Sequence, residues 1–314
     1  MAAFFRRRAA ALVRLRRAGK PLRWKSGKYE DTVLGYLFLL PDVAGLLVFW
    51  FLPMFYIFFF SFFEWNLSDT RKFVGLANYI QLAQDMRWWH SLGVTLQFVV
   101  MYVPLVICVS LFFAFLLSQK LRGQNVFRTI LFIPYVISLI VAGAIWAYLL
   151  EPKFGVVNYL LETVGLPRGQ WLTSTSQALP VIAFVAAWKY MGYYMVLIVA
   201  GLQEIPKDLY EAATIDGAGV RATFFRVTLP ALKPVFLFVL IICLISAFEM
   251  FDLIYVMTKG GPNNATYISM MYIYETAFVF SNFGYASTMS TALFIIIFIV
   301  TMFQFRLFRR RGEE

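Results

Sequence analysis

Three charged side chains, Lys189, Glu249 and Asp252, lie inside long apolar runs of this 314-residue chain. A charge at the centre of a bilayer costs about 2.5–3.5 kcal/mol on the insertion scale, so such residues pair with each other or face water. Glu249 and Asp252 are spaced i and i+3, which places them on one face of a predicted helix. We expect Lys189 to approach Glu249 or Asp252 across a helix bundle, either lining a path or only fixing helix packing.

The composition shows which elements must position these charges. Hydrophobic residues make up 61% of the chain and charged residues 14%, against roughly 25% charged in a soluble domain. Six runs approach or exceed the ~20 helical residues that cross ~30 Å of hydrocarbon. They are residues 33–63, 92–118, 126–150, 179–202, 234–256 and 289–308. Because lipid cannot satisfy backbone polar groups, and no barrel-like alternation appears, the sequence predicts an all-α membrane protein with six transmembrane helices.

The distribution of basic residues predicts the orientation in the membrane. A net charge of +11 would fit a nucleic-acid partner in a soluble chain, but here Lys and Arg cluster in alternate segments. These segments are residues 1–32, 119–128, 203–233 and the end of the chain after residue 308. By the positive-inside rule they lie in the cytosol. We therefore expect no nucleic-acid partner, a basic cytosolic N-tail (1–32), a six-span domain (33–308) and a cytosolic C-tail (309–314) in the cell membrane.

Two segments between the spans have distinct predictions. Residues 203–233 form a connection much longer than a simple turn needs. Pro206 suits a first helical turn, Gly217 and Gly219 suit a break, and a second helix would end at 229–230. This predicts a helix–turn–helix whose small and apolar positions suit docking in a groove of another protein, or an amphipathic loop on the membrane. Those positions are Leu209, Ala212, Ala213 and Ile215. The apolar stretch 267–280 is too short to span and is predicted to lie at the outer surface or to dip into it.

Enzymatic chemistry finds little support in the sequence. No Gly-Lys pair fits a phosphate-binding loop, so ATP hydrolysis by that mechanism is not expected of this chain. Cys108 and Cys243 lie in apolar runs and His90 is the single histidine, so no metal site can be drawn. We expect no catalytic residue, no metal and no cofactor in this chain.

The segment 203–233 also carries a family resemblance. Glu211-Ala212-Ala213, Gly217 and Val227-Thr228-Leu229-Pro230 resemble the EAA signature of binding-protein-dependent ABC importer permeases, with Val227 in place of Ile. The resemblance implies that residues 211–217, Asp216 included, form a coupling helix that rests in a cleft of an ATPase. Further matches extend the resemblance to the MalF-like half of the maltose-type carbohydrate permease group. They are Phe73-Val74-Gly75-Leu76, Asn78-Tyr79, Leu121-Arg122-Gly123, Phe127-Arg128, Pro134, Trp146, Gly155, Asn158, Phe251-Asp252-Leu253-Ile254-Tyr255 and Gly260-Gly261-Pro262.

This resemblance implies a type I ABC importer permease core and a set of partners. A second, MalG-like permease would pair with this chain, and two copies of an ATPase subunit would bind ATP and Mg²⁺. An extracytoplasmic solute-binding protein would deliver a sugar, with membrane lipid as the surrounding solvent. The implied function is import of a carbohydrate, a di- or oligosaccharide.

The resemblance also implies a substrate path through two segments, 188–194 and 246–252. Aromatic faces stack on sugar rings, although for any single ring simple packing is the more economical interpretation. The candidate residues are Trp188, Lys189, Tyr190, Tyr193, Tyr194, Ser246, Glu249, Met250 and Asp252. The second segment has no Asn, so maltose itself is not implied. Two alternatives stay open: an importer of glycerol phosphate or a polyol phosphate, in which Lys189 meets phosphate, and a secondary transporter.

Overall fold

The computed structural model describes residues 28–66, 71–118 and 123–310. Most of the predicted N-tail and part of the C-tail lie outside these residues. The chain forms two compact units, which divide between Tyr56 and Ile57.

The described residues of the first unit belong to one apolar helical stretch, which continues past the unit boundary to Phe60. Helix α1 (Lys28–Leu46) runs into a π-helical turn (Leu47–Phe51) and then into helix α2 (Leu52–Phe60). The stretch Thr32–Phe60 is long and apolar enough to cross a membrane, and its most apolar part has no buried residue. A helix that is apolar all round suits a lipid environment. Its extent agrees with the predicted first span, although the helix ends at Phe60.

The second unit contains the remaining elements. Strands β1 (Phe63–Glu64) and β2 (Lys72–Phe73) pair antiparallel. The helices that follow are α3 (Ala77–Gln84), α4 (Met86–Ser118), α5 (Gln124–Val136), α6 (Leu139–Leu149), α7 (Val156–Thr163), α8 (Ala178–Glu204), α9 (Lys207–Ile215), α10 (Val220–Thr223), α11 (Leu229–Ala231), α12 (Lys233–Phe248), α13 (Asp252–Thr258), α14 (Ser269–Tyr274) and α15 (Phe283–Arg310). A 3₁₀ turn (Trp171–Thr173) and π-helical turns (Phe224–Thr228, Glu275–Val279) connect some of them.

Helix α8 is the centre of the second unit. More than half of its most apolar segment is buried, a larger share than in α4 or α15. Two glycines let neighbouring helices approach it closely, as small residues do in membrane bundles. An added Cβ at Gly192 would lie 2.1 Å from the carbonyl oxygen of Leu131 in α5, and one at Gly201 would lie 2.7 Å from Val235 in α12. The α5 and α8 backbones are therefore in direct contact.

The predicted span 126–150 is not a single straight helix. It consists of α5 and α6, which meet at a bend of 95°. The chain between them is extended at Ile137 and Ser138, with ψ angles of 139° and 141°. Pro134, in the last turn of α5, lacks an N–H and removes one hydrogen bond near that end. The hydropathy of the run remains high across the break, so hydropathy does not reveal it.

The predicted span 234–256 is also broken. Helix α12 ends at Phe248, and α13 starts only at Asp252. Phe251, between them, has φ −120° and ψ −57°, outside helical geometry. The prediction that Glu249 and Asp252 share one face of a continuous helix is therefore wrong.

The two segments with their own predictions are both helical. In 203–233, α9 is followed by a turn and then by a helical stretch, Val220–Ala231, that meets α12 at a bend of 67°. This second helix extends slightly beyond the predicted end at 229–230. In 267–280, α14 and a π-helical turn form a short element; Met271 within it and Ile268 just before it are buried. Counted by length and composition, the described residues hold four membrane-crossing helices, or up to six if each bent pair is one span.

Candidate functional site

The turn after α9 has the geometry of a Schellman motif. Gly217 has φ +75°, and its N–H donates to Thr214 O at 3.1 Å. The N–H of Ala218 donates to Ala213 O at 2.9 Å. These are the two bonds that close a helix with a left-handed residue after its last turn. Ala213 and Gly217, predicted as motif residues, thus both contribute to ending α9.

The two faces of α9 differ in exposure. Glu211, Ala212, Asp216 and Gly217 are exposed, whereas Ala213 is buried. The exposed apolar positions predicted for docking are present: Leu209 is 45% exposed and Ile215 is 86% exposed.

A contact between side chains joins α9 to the following helix. The Thr228 hydroxyl donates to the Tyr210 hydroxyl oxygen over 3.3 Å. Leu229 is half-buried and Pro230 exposed, just before the bend into α12. The described geometry is thus a capped helix with one face against the helical stretch that follows it and one face exposed within this chain.

The predicted pairing of Lys189 with Glu249 or Asp252 is wrong. Lys189 is 3% exposed. Its ammonium group donates to the carbonyl oxygens of Pro134 and Tyr135, each at 3.2 Å, and to that of Ile137. The end of α5 leaves these carbonyls without intrahelical partners, and a helix C-terminus favours a cation. Backbone carbonyl oxygens therefore bind the Lys189 ammonium group in place of the carboxylate that we expected.

Three tyrosines surround this break. Tyr135 stacks on Tyr193 with ring centroids 4.6 Å apart and an interplanar angle of 14°. Tyr190 meets Tyr135 edge-on at 5.9 Å. We call Tyr135, Tyr190 and Tyr193 the tyrosine cluster; Tyr190 and Tyr193 are half-buried. The sequence singled out Tyr190 and Tyr193 but not Tyr135, whose only signal was its position next to Pro134.

The other aromatic candidates of segment 188–194 pack inside the chain. Trp188 meets Trp146 edge-on at 5.4 Å, so it is part of the packing between α8 and α6. Tyr194 is 1% exposed and belongs to the core. For these two residues the structure favours packing over ligand contact in the described conformation.

The break between α12 and α13 exposes two carboxylates. Glu249 and Asp252 are both exposed within this chain, whereas Met250 is 5% exposed and Ser246 is half-buried. Phe251, Tyr255 and Tyr274 form a second aromatic group beside them. Their ring centroids are 5.2 Å (Phe251 to Tyr255), 5.0 Å (Phe251 to Tyr274) and 5.8 Å (Tyr255 to Tyr274) apart. Tyr255 and Tyr274 were not among the site residues predicted from the sequence, although the i, i+4 spacing of Phe251 and Tyr255 was a signal.

A polar cluster at the start of α4 was not predicted from the sequence. Asp85 accepts hydrogen bonds from the hydroxyls of Tyr272 and Tyr285, each at 2.6 Å. Arg87 donates to Glu275 and to the Tyr267 hydroxyl, each at 2.8 Å. We call these six residues the tyrosine clasp, because they join the start of α4 to α14 and α15. The residues are far apart in sequence, so no local pattern reveals the cluster.

The clasp changes the acidity of Asp85. Partial burial raises the pKa of Asp85. Hydrogen bonds from the Tyr272 and Tyr285 hydroxyls and from the N–H groups of Trp88 and Arg87 lower the pKa by more, so that it lies below its usual value of 3.8. A carboxyl with a depressed pKa stabilises the fold above its unfolded pKa, and this contribution disappears as the pH falls through the folded value. The contribution is therefore present at neutral pH and lost below about pH 4.

Asp85→Asn is expected to lower the melting temperature of the purified protein at pH 7, corresponding to about 1–2 kcal/mol, because the charged acceptor is lost. The difference in melting temperature between Asp85→Asn and the wild type should become smaller near pH 3. Glu162→Gln is the control, because the exposed pair of Glu162 with Arg168 contributes little. A gap for Asp85→Asn that stays constant from pH 7 to pH 3 would contradict the assignment.

Taken together, the site has two parts with different chemistry. The exposed face of α9 offers small and apolar contacts suited to a protein groove. The helix breaks offer tyrosine rings and two carboxylates, which can stack on and hydrogen-bond to a ligand rich in hydroxyl groups. Lys189 already has three acceptors, which are as many as an ammonium group can serve.

Comparison with known protein families gives a match to most of the chain. The profile of the family "Binding-protein-dependent transport system inner membrane component" matches residues 106–313.

Relatives extend the similarity over nearly the whole chain. The Thermococcus litoralis trehalose/maltose transport system permease protein MalF is 35% identical over 91% of this chain and 97% of its own length. The Brucella abortus sn-glycerol-3-phosphate transport system permease protein UgpA is 35% identical over 90% of this chain and 97% of its own length. The Bacillus subtilis arabinooligosaccharides transport system permease protein AraP is 33% identical over 92% of this chain and 93% of its own length.

Among solved structures, a chain of the bacterial alginate ABC transporter, crystallised with an alginate pentasaccharide-bound periplasmic protein, is similar with a TM-score of 0.79. The two chains are 22% identical, over 90% of this chain and 96% of that one. The described residues thus have a type I ABC permease fold. With the profile match and the relatives, the chain belongs to the family of inner membrane components of binding-protein-dependent transport systems.

Proposed function

We propose that this chain is the transmembrane permease subunit of an ATP-driven, binding-protein-dependent importer of a di- or oligosaccharide. The observation that carries the proposal is the capped helix α9, which bears the Glu211-Ala212-Ala213 signature and presents Ile215 and Leu209 outward. An exposed apolar face on a connection between the spans suits either docking on a protein or lying on the membrane surface, and the Glu-Ala-Ala signature favours the protein partner.

The assembly follows from this role. The chain crosses the membrane six times, with each bent pair as one span and both termini in the cytosol. Helix α9 docks in a cleft of one of two ATPase subunits, which bind ATP and Mg²⁺. A second, MalG-like permease completes the path, and an extracytoplasmic solute-binding protein delivers the sugar. Closure of the ATPases moves α9 and switches the path from cytosol-facing to outward-facing.

The substrate class rests on the chemistry of the helix breaks. Glu249 and Asp252 are exposed beside aromatic rings, an arrangement suited to sugar hydroxyls and sugar faces. The names of relatives that mention trehalose, maltose and arabinooligosaccharides agree with this class.

The alternative substrate is glycerol phosphate or another polyol phosphate, which the similarity to a permease of a glycerol-3-phosphate system supports. Two observations weigh against it. Lys189 is buried and bonded to backbone carbonyls, and the exposed carboxylates would repel an anion. A secondary transporter is the weaker alternative, because it would have no use for α9.

The experiment is to co-purify the chain with the proteins of its neighbouring reading frames and to measure ATP hydrolysis in lipid. Solute-binding protein is added empty, with each member of a sugar panel, or with glycerol 3-phosphate. Stimulation by a sugar-loaded binding protein is the expected result. Stimulation by glycerol 3-phosphate alone would support the alternative, and a chain that recruits no ATPase would contradict the role of α9.

Neutralising one exposed carboxylate is expected to weaken transport moderately. In Glu249→Gln, uptake per assembled complex should fall about threefold, because a charged acceptor is replaced by a neutral one. Glu64→Gln, an exposed carboxylate in β1, is the control and should leave uptake unchanged. Equal effects of the two variants on uptake would contradict a role of Glu249 in the substrate path.

A further inference from the structure

Lys189 stands out because it is a buried cation that no transport step described above uses. It is 3% exposed, and the three atoms it binds are all backbone oxygens of one segment, Pro134, Tyr135 and Ile137. Carbonyl groups at a helix end have no intrahelical partner, and leaving them unpaired in an apolar interior destabilises the fold. The lysine therefore satisfies the end of α5 and holds the 95° bend into α6.

The bend in turn places the tyrosine cluster. Tyr135 belongs to the segment whose carbonyls Lys189 binds, and its ring stacks on Tyr193, one helical turn after Lys189 on α8. The ammonium nitrogen lies 6.0 Å from the Tyr135 ring centroid and 5.7 Å from that of Tyr190. The charge thus lies beside the rings and is directed at the backbone that carries one of them.

We propose that Lys189 is a positioning residue for the substrate path: it fixes the α5–α6 break and so holds the Tyr135 and Tyr193 rings in their stacked arrangement, without touching the solute. This inference rests on the proposed function and adds to it that those two rings contact the sugar. It differs from the polyol-phosphate alternative, in which Lys189 itself meets the solute.

The contact between α5 and α8 supports this role. Gly192 brings the α8 backbone against Leu131 and Phe132 of α5, only a few residues before the carbonyls that Lys189 binds. The two helices are therefore fixed at one point by backbone contact and at a second point by the ammonium group. Removing the second point leaves the end of α5 free to move relative to Tyr193.

The test compares Lys189→Met and Lys189→Arg in the assembled complex. We expect Lys189→Met to lower uptake per assembled complex about fivefold, and Lys189→Arg to retain most of it because the cation and its donors remain. Ser110→Ala is the control, because Ser110 also donates from a buried side chain to a backbone carbonyl, but to that of Met191 within α8 rather than to one at the end of α5. It should lower the melting temperature but leave uptake per complex unchanged.

A double-mutant cycle separates positioning from direct contact. If Lys189 acts through the rings, Lys189→Met adds little to the loss already caused by Tyr193→Leu. If the uptake losses of the two single variants instead multiplied in the double variant, Lys189 would contact the solute independently, and the proposal would be overturned. Unchanged uptake in Lys189→Met would overturn it as well, leaving only a packing role.

Hydrogen exchange gives a readout that needs no substrate. In Lys189→Met, amides of residues 135–142 should exchange faster than in the wild type, whereas Ser110→Ala should not change them. If Lys189→Met does not assemble, Lys189→Gln replaces it in both the uptake and the hydrogen-exchange measurements. Unchanged exchange at the break would overturn the inference even in a complex that imports sugar. If the wild-type complex showed no solute-stimulated ATP hydrolysis, the proposed function would be contradicted. Faster amide exchange in Lys189→Met would then still show that Lys189 stabilises the α5–α6 break.

Discussion

Gly192→Ala is expected to remove most of the assembled protein from the membrane. The new Cβ would lie 2.1 Å from the carbonyl oxygen of Leu131 and 2.8 Å from the Cα of Phe132, and neither backbone atom can rotate away. Forcing helices α5 and α8 apart costs about 3 kcal/mol or more, which is roughly a hundredfold in the folded population. The amount of monodisperse protein extracted in mild detergent, together with its melting temperature, measures the effect.

Gly93→Ala provides the matched control for this prediction. Gly93 is also a helical glycine, in α4, but an added Cβ there would meet nothing within 4 Å. Alanine favours a helix over glycine by about 1 kcal/mol, so this variant should be neutral or slightly more stable. If both variants lost the same amount of protein, the close contact of α5 with α8 would not be the cause.

Gly217→Ala is expected to reduce uptake about tenfold while the membrane bundle stays intact. Nothing lies within 4 Å of the added Cβ, so the effect is conformational: at φ +75°, alanine costs about 1–2 kcal/mol. The end of α9 would then lose its two closing hydrogen bonds, and the face proposed to dock on the ATPase would lose its fixed direction. Uptake and ATP hydrolysis stimulated by loaded binding protein are the measurements.

Gly219→Ala separates this effect from a general sensitivity of the turn. Gly219 also has open space around it, but its φ of −72° and ψ of 168° suit any residue. We expect near wild-type uptake from this variant. Normal uptake in Gly217→Ala as well would show that the left-handed turn is dispensable for coupling.

Most of the apolar elements could be predicted from the sequence, because the length of an apolar run fixes whether a helix can cross the bilayer. The helices Met86–Ser118 and Ala178–Glu204 contain the predicted runs 92–118 and 179–202 entirely. The two breaks could not be predicted from hydropathy, because Ile137 and Phe251, where the backbone leaves helical geometry, are themselves strongly apolar. Hydropathy reports solubility in lipid and carries no information on backbone angles.

The contacts of Lys189 show a different limit. A buried charge needs a partner, and the sequence offered Glu249 and Asp252 as groups of opposite sign. The actual acceptors are carbonyl oxygens, which every residue has and which become available only where a helix ends. Tyr135 remained unnoticed for the same reason, since its importance depends on that break. By contrast, the turn at Gly217 was predictable, because a left-handed turn residue favours glycine locally.

The tyrosine clasp has a consequence for the order in which the protein is built. Asp85 and Tyr285 are 200 positions apart, and Arg87 and Glu275 are 188 apart. During synthesis the start of α4 therefore enters the membrane long before its partners exist. The clasp closes only after the ribosome has delivered the beginning of α15, so it is among the last contacts to form and completes the bundle only when nearly the whole chain has been inserted.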